Sequence, residues 1–369
     1  MSLKYIIGID VGSYLTYVSV VKDGNVISIP TESGKRGFPT SVVFNNGMCL
    51  VGEAAEELSG GEVHIVNFKS MYKKTAKGTS FGIEPPVQEK YVGKFMGAMR
   101  TFKAQEIMAV VLAQAKNDAE RFLGERIKGA VIAVPNYYHS EQRKAMMNAA
   151  SIANLPVERL ISDTSGLMLS KGLEFDGYHV VVDFGSTSFQ LAVIAREAGV
   201  LRVLEETSCE VGGECLTQKV VENFAQLFKN FGFELTASCG YHSKLWKACE
   251  RAKRDLDTTP EVFVKLLLFG RQVVYRIDQE IYETICQYEL LEIFRLCSAA
   301  ADHPHHGTYN GIIIAGRSAK SFKFLEVMKT IFPGTFIAAE SFSVAHGAAK
   351  LHDGRCRGLK EYSHFTSMQ

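Results

Sequence analysis

A chain of 369 residues has room for roughly two or three domains and a sizeable buried core. Its 41 Lys and Arg against 40 Asp and Glu give a formal charge of +1, which excludes a protein that coats nucleic acid by bulk charge. With 46% hydrophobic and 22% charged residues, global disorder is excluded as well.

In chain order, residues 5–10 form a short apolar run, followed by a second at 16–22 and a turn at Asp23-Gly24. Residues 26–30 and 41–45 read as further strands. A long helix is predicted over 102–123, with Ile107, Val110, Val111, Ala115, Ala119 and Phe122 on its apolar face and Gly124 as its stop. Residues 129–134 are a continuous apolar strand closed by Pro135, and a helix is predicted from Ser140 to about Asn154. Strands alternating with helices argue for an α/β protein. The segment from Asp353 to Gln369 is polar and reads as a frayed tail.

The longest apolar stretches, 130–135, 262–270 and 311–316, fall far below the ~20 residues of a membrane span. Asp10 arrives before a signal-peptide core can form, so a cytoplasmic setting is expected. The eight cysteines show no CxxC spacing and read as reduced, mostly buried thiols. His303, His305 and His306 around Pro304 fit either a solvated loop or a metal site.

One internal echo stands out. IGIDVGS at 7–13 resembles VVVDFGS at 180–186, at an offset of 173 residues, and each is followed by alternating apolar positions: Val18 and Val20, then Leu191 and Val193. Each copy reads strand, Asp-x-Gly, tight turn, strand. Such bends present backbone N–H groups to an anion, glycine allows close approach, and the preceding Asp can hold water on Mg²⁺. The pair is either a polyphosphate clamp built by duplication or two surface hairpins.

Seven motifs occur in order along the chain. GIDVGS (8–13), RGFPTSVVF (36–44), VPNYYHSEQR (134–143), VVDFGSTSF (181–189), VGGE (211–214), CERAKR (249–254) and VAHGAAK (344–350) together resemble the nucleotide-binding domain of the DnaK family, the 70-kilodalton heat-shock chaperones. The resemblance implies an α/β, actin-like ATPase fold of two lobes, each with a mixed-sheet core and a smaller outer subdomain, and a nucleotide cleft between. The first phosphate loop falls in lobe I (1–175). The second loop and the adenosine site fall in lobe II (176–352), with 353–369 as a polar tail.

The resemblance also implies site residues. Asp10 and Asp183 match the aspartates that organise Mg²⁺ through water, and Gly12 and Ser13 the first phosphate loop, with Tyr14 where the family has threonine. Lys69 and Asp163 match the lysine and acid near the γ-phosphate and attacking water, although Asp163 is one methylene shorter than the family's glutamate. Gly185, Ser186 and Thr187 stand for a glycine-rich second loop, and Gln190 replaces an aspartate. Gly212, Gly213 and Glu214 belong to the VGGE turn. Glu250, Lys253 and Arg254, on one helical face with Asp257 and opposite Leu245, Ala248, Ala252 and Leu256, match ribose and adenine contacts. Gly316 and Arg317 stand in the last adenine loop, where Arg317 either stacks on the base or blocks it. Ser341 takes the place of a later aspartate.

ATP or ADP with Mg²⁺ is the implied cofactor. Asp163 and the loop at 183–188 resemble the 110-kilodalton branch, which acts as a nucleotide exchange factor; the altered phosphate loops resemble ribosome-associated atypical members. The expected partners are therefore another heat-shock-70 chaperone, a J-domain protein or the ribosome, with no direct nucleic acid, no membrane and no client-peptide domain. Weak hydrolysis with a co-chaperone role is the expectation, an active Mg²⁺-dependent chaperone ATPase the alternative. A sugar-kinase-like phosphotransferase is disfavoured by the motifs at 134–143 and 249–254.

Overall fold

The computed structural model describes residues 3–45, 48–58, 63–66, 90–95, 98–171, 176–230, 232, 240–268, 270–302, 309–352 and 358–361. The chain begins with β1 (Ile6–Val11), β2 (Leu15–Lys22), β3 (Asn25–Ser28), β4 (Gly37–Pro39), β5 (Ser41–Asn45) and β6 (Met48–Val51). It continues through α1 (Glu53–Glu57), β7 (Val63–Val66), β8 (Lys90–Phe95), β9 (Ala98–Lys103), α2 (Ala104–Leu123), β10 (Gly129–Val134), α3 (Ser140–Ile152), β11 (Val157–Ser162) and α4 (Asp163–Lys171). Next come β12 (Gly177–Phe184), β13 (Phe189–Glu197), β14 (Val200–Cys209), α5 (Gly213–Asn230), α6 (Gly240–Asp255), β15 (Glu261–Leu268), β16 (Arg271–Asp278), α7 (Gln279–Ile285) and α8 (Gln287–Ala301). The last elements are β17 (Gly311–Ala315), α9 (Phe322–Ile331), β18 (Phe336–Ala338), α10 (Ser343–Lys350) and β19 (Gly358–Lys360).

Two large sheets have the same order. The first runs β11-β10-β1-β2-β3, with β4 on β2; the second runs β18-β17-β12-β13-β14, extended by β19. In each, the strand ending in Asp-x-Gly is central, with the strand after its bend on one side and a later strand on the other. The sequence echo is thus a repeat of topology, and the architecture is mixed α/β as expected. By packing, the chain divides into two compact units: Met1–Val181 with Ala192–Glu206 and Ala339–Gln369, and Val182–Leu191 with Thr207–Ala338.

The first unit's core follows from its apolar runs. All six residues of β10 are buried, and the strand lies parallel to β1 and β11, the pattern of a strand covered on both faces. Asp23 and Gly24 both take positive φ (52° and 76°), the conformation a two-residue hairpin turn demands, and so join β2 to β3. On α2 the buried stripe is Ile107, Met108, Val111, Leu112, Ala115 and Ala119. It is rotated from the expected one: Val110 is half-buried, and Phe122 is exposed beside the Lys22 ammonium. The expected helical start at 102–103 belongs instead to β9, and Gly124, at φ 71°, ends the helix as expected.

Glycines explain the VAHGAAK segment, which is α10. A Cβ at Gly8 would run into the Ala345 carbonyl, and one at Gly347 into the Gly166 carbonyl. Helix α10 therefore meets β1 and α4 backbone to backbone. Its His346 accepts or donates one 2.8 Å hydrogen bond with Ser28 Oγ and packs on Phe342. Burial, then the Lys350 charge, push its imidazole down to about 4.

The segment read as a frayed tail contains structure. β19 pairs parallel with Val200–Arg202 of β14, and the next residue, Glu361, is buried and accepts a 2.9 Å hydrogen bond from the Ser162 amide. Edge pairing and one buried carboxylate order residues that composition alone marks as loose. No described helix is long and apolar enough to cross a membrane.

Candidate functional site

The two Asp-x-Gly bends are the same turn. The Gly12 amide donates to the Leu15 carbonyl at 3.0 Å, and the Gly185 amide donates to the Ser188 carbonyl at 3.0 Å. At Gly12 the turn leaves no room for a side chain, since a Cβ would come 2.6 Å from the Leu15 oxygen; at Gly185 the nearest atom would be 3.6 Å away.

In the second unit this turn is tied down by its carbonyls. Gly185 O accepts from the Gly213 amide (3.0 Å) and from Ser318 Oγ (3.0 Å), and Ser186 O accepts from the Glu214 amide (2.7 Å). The first amides of α5 are thus spent on the loop. In a planar trans peptide C=O and the following N–H point in opposite directions. The Ser186 and Thr187 amides therefore point away from α5. Gly212 is obligatory here, because a Cβ would run into the Ser186 carbonyl. At Gly213 the Cβ position lies 2.5 Å from Ser318 Oγ, a side-chain atom that can turn away, so the constraint there is softer. The side chains that Ser186 and Thr187 add to the loop do not disturb these carbonyl links.

The CERAKR face of α6 packs against the same helix start. Its apolar side buries Leu245, Cys249, Ala252 and Leu256; Cys249 takes the place expected of Ala248. On the other side Lys253 Nζ donates to Gly213 O (2.5 Å), to Thr217 Oγ1 (2.7 Å) and to Glu250 Oε2 (2.8 Å). Arg254 Nε donates to Glu250 Oε1 at 2.8 Å, and the arginine is half exposed. Burial raises the Glu250 carboxyl, but Lys253, Thr217 and Arg254 outweigh it and hold it below the usual range. Burial lowers Lys253 more than its Glu250 partner restores. Asp257 is pushed up by burial against the pull of Lys253. The third strip is the turn after the fully buried β17, at the strand end where open α/β sheets take ligands. Gly316 stands there at φ +92°, and a Cβ would run into the Phe184 carbonyl. Arg317 follows with its side chain exposed.

Asp10, Tyr14 and Asp163 belong to the first unit, and Asp183 and the buried Gln190 to the second. Asp10 ends β1, partly buried, and Tyr14 is 55% exposed while its carbonyl accepts from the Thr40 amide. Asp163 is buried at the start of α4 in a charged cluster that motif reasoning does not assemble. Thr164 Oγ1 donates to Glu206 at 3.1 Å, Arg159 lies 3.8 Å from Glu361, and the charges of Asp163, Glu206 and Glu361 all act on Arg143. Burial pushes Arg143 down to about 10. Burial and then Glu361 push Glu206 up to about 7, against Ser162, Thr164 and Arg143. Lys69 and the three histidines at 303, 305 and 306 lie outside the described residues. Sequence motifs do not reveal Thr217, which closes the loop network together with Ser318. The available signal was Thr217, one helical turn after Gly213 on an otherwise apolar face.

The family model for the Hsp70 protein matches residues 6–297. The chain is 31% identical over 287 residues to "Heat shock 70 kDa protein BIP3" of Oryza sativa subsp. japonica, covering 71% of this chain and 42% of that protein. It is 29% identical over 304 residues to "Putative heat shock 70 kDa protein 7" of Homo sapiens (76% of this chain, 82% of that one). With "Heat shock cognate 70 kDa protein 3" of Dictyostelium discoideum it shares 26% identity over 380 residues (93% and 59%). The chain thus spans less than half of the rice relative and the greater part of the human one. With the glycine-built turn, the α5–α6 network and the repeated sheet, these matches make the chain a member of the Hsp70 family, carrying that family's actin-like nucleotide-binding fold.

Proposed function

We propose that this chain binds ATP and ADP with Mg²⁺ but hydrolyses ATP slowly, and that it regulates another heat-shock-70 chaperone. The observation that supports it is an asymmetry. The nucleoside and phosphate elements of the second unit form one continuous bonded network from Gly185 through Gly213 and Lys253 to Arg254. Among the family positions near the reacting phosphate, Asp10, Lys69 and Asp183 match, whereas Tyr14, Asp163, Ser186, Thr187 and Gln190 depart.

On this reading the Ser186 and Thr187 amides bind phosphate. Glu250 accepts from ribose hydroxyls, Lys253 donates to their oxygens, and Arg254 lies by the base. By the resemblance, Asp10 in the first unit and Asp183 in the second are each carboxylates that would hold water on Mg²⁺, which would supply positive charge to the phosphates. Hydrolysis in such sites depends on positioning and electrostatics, so each misplaced group costs about tenfold in rate, about 1.4 kcal/mol. The resemblance of Asp163 and the 183–188 loop to the exchange-factor branch supports the regulatory role, with a J-domain protein or the ribosome as further partners.

The test is calorimetric titration with ATP and ADP beside phosphate release. Binding with little turnover is expected. The combined reversion Tyr14→Thr, Asp163→Glu, Ser186→Gly, Thr187→Gly should raise hydrolysis more than it changes ADP affinity. Wild-type turnover at the rate of an ordinary family domain replaces this reading with an active chaperone ATPase.

A further inference from the structure

The geometry points to Thr217 as the positioning residue that sets ribose recognition; the inference rests on the nucleotide reading above. Thr217 lies one turn into α5 and is fully buried. Its hydroxyl reaches three groups: the Gly213 carbonyl at 2.9 Å, the Glu250 carboxylate, and Lys253 Nζ at 2.7 Å. A hydroxyl has one proton and two lone pairs. It accepts from the ammonium and donates to the carboxylate, the stronger of its two acceptors.

The Lys253 ammonium is bound just as fully. Its three N–H groups meet three acceptors: Gly213 O, Thr217 Oγ1 and Glu250 Oε2. Lysine is a long, flexible side chain whose ordering costs up to about 2 kcal/mol. Thr217 is the residue that both charged partners share. The hydroxyl therefore fixes the spacing of a carboxylate and an ammonium before any ligand arrives. A cis-diol is the complementary group: one O–H donates to the carboxylate, and one ribose oxygen takes over the ammonium N–H that Gly213 O accepts in the free protein, while the Thr217 hydroxyl keeps its hold on both charges.

A threonine that merely ties α5 to α6 would affect stability without discriminating between ligands. The discriminating pair is ADP and 2′,3′-dideoxy-ADP, titrated by calorimetry into wild type, Thr217→Val and Thr217→Ser. Hydrogen bonds to charged groups predict that valine weakens ADP about tenfold. The dideoxy analogue should stay within about twofold, so the preference for ADP shrinks by the same factor, and serine should restore it. Thr217→Cys, near-isosteric with a weak donor, serves if the valine chain does not fold, with the same shrinkage expected. Equal weakening of both ligands, unchanged ADP affinity or tighter ADP binding overturns the assignment of Thr217. Failure of wild type to bind either nucleotide overturns the nucleotide reading itself, and this inference with it.

Discussion

Glu206 offers the sharpest test of the charged cluster in the first unit. Its carboxyl is pushed from 4.5 up to about 7, first by burial and then by Glu361, while Ser162, Thr164 and Arg143 pull the other way. A carboxyl with a raised folded value holds its proton in the native state while the unfolded chain has lost it. Between 4.5 and 7 the native state binds more protons, so this group's contribution to stability falls as pH rises. The variant Glu206→Gln has no such titration, yet its amide oxygen still accepts from Thr164. At 1.36 kcal/mol per unit, the difference in unfolding free energy, variant minus wild type, should grow by roughly 2 kcal/mol between about pH 5.5 and 7.5. His346 contributes the opposite slope: held down at about 4, it loses stability as pH falls below its usual value near 6.5. That slope is common to both proteins and cancels in the difference. Urea unfolding followed by far-UV circular dichroism across this range measures it. A difference that stays flat, or a variant that loses stability relative to wild type as pH rises, refutes the reasoning.

Two further predictions concern glycines. Gly316→Ala places a Cβ against the Phe184 carbonyl at φ +92°, and should cost at least about 2 kcal/mol. The single tryptophan, Trp246 on α6 in the same unit, reports the loss by fluorescence-monitored unfolding, and an alanine variant as stable as the parent would show that the turn relaxes freely. Gly347→Ala drives a methyl into the Gly166 carbonyl and should cost about 2–3 kcal/mol by forcing α10 off α4. A circular-dichroism melt unchanged from wild type would mean that the two helices separate without penalty.

What was legible in the sequence follows from how far each interaction reaches along the chain. The run at 129–134, the turn at Asp23-Gly24 and the stop at Gly124 are set by neighbouring residues, and all appear as read. The Asp-x-Gly echo was legible because the same turn recurs, and the repeated strand order follows from it. The buried face of α2 lies part of a turn from the one the sequence predicts, because Val110 and Phe122 are as apolar as Met108 and Leu112, and only the neighbouring sheet decides which are covered. Glu361 was illegible for a stronger reason. Nothing in GLKE distinguishes a strand from a polar tail; its order comes from the edge of β14 and the Ser162 amide, both remote in sequence. The same holds for Thr217, whose role exists only because α6 returns to the start of α5.

These differences bear on why binding and turnover can part company in one fold. The second Asp-x-Gly turn is held by backbone groups: the carbonyls of Gly185 and Ser186 face α5 whatever side chains follow them, and the glycines at 12, 212 and 316 are the ones that backbone oxygens make obligatory. Substitution at 186 and 187 therefore leaves the donors in place. Hydrolysis has no such backbone safeguard, because it depends on where the ends of individual side chains lie. Asp163 reaches one methylene less far than glutamate, and Tyr14 exchanges a small hydroxyl for an exposed ring. On the proposed reading, sequence drift removes chemistry before it removes affinity. Most of the hydrolysis regained by the fourfold reversion should then come from Tyr14→Thr and Asp163→Glu. If phosphate release from the Ser186→Gly, Thr187→Gly double variant alone matches the fourfold one, the backbone argument is wrong and the loop side chains set the rate.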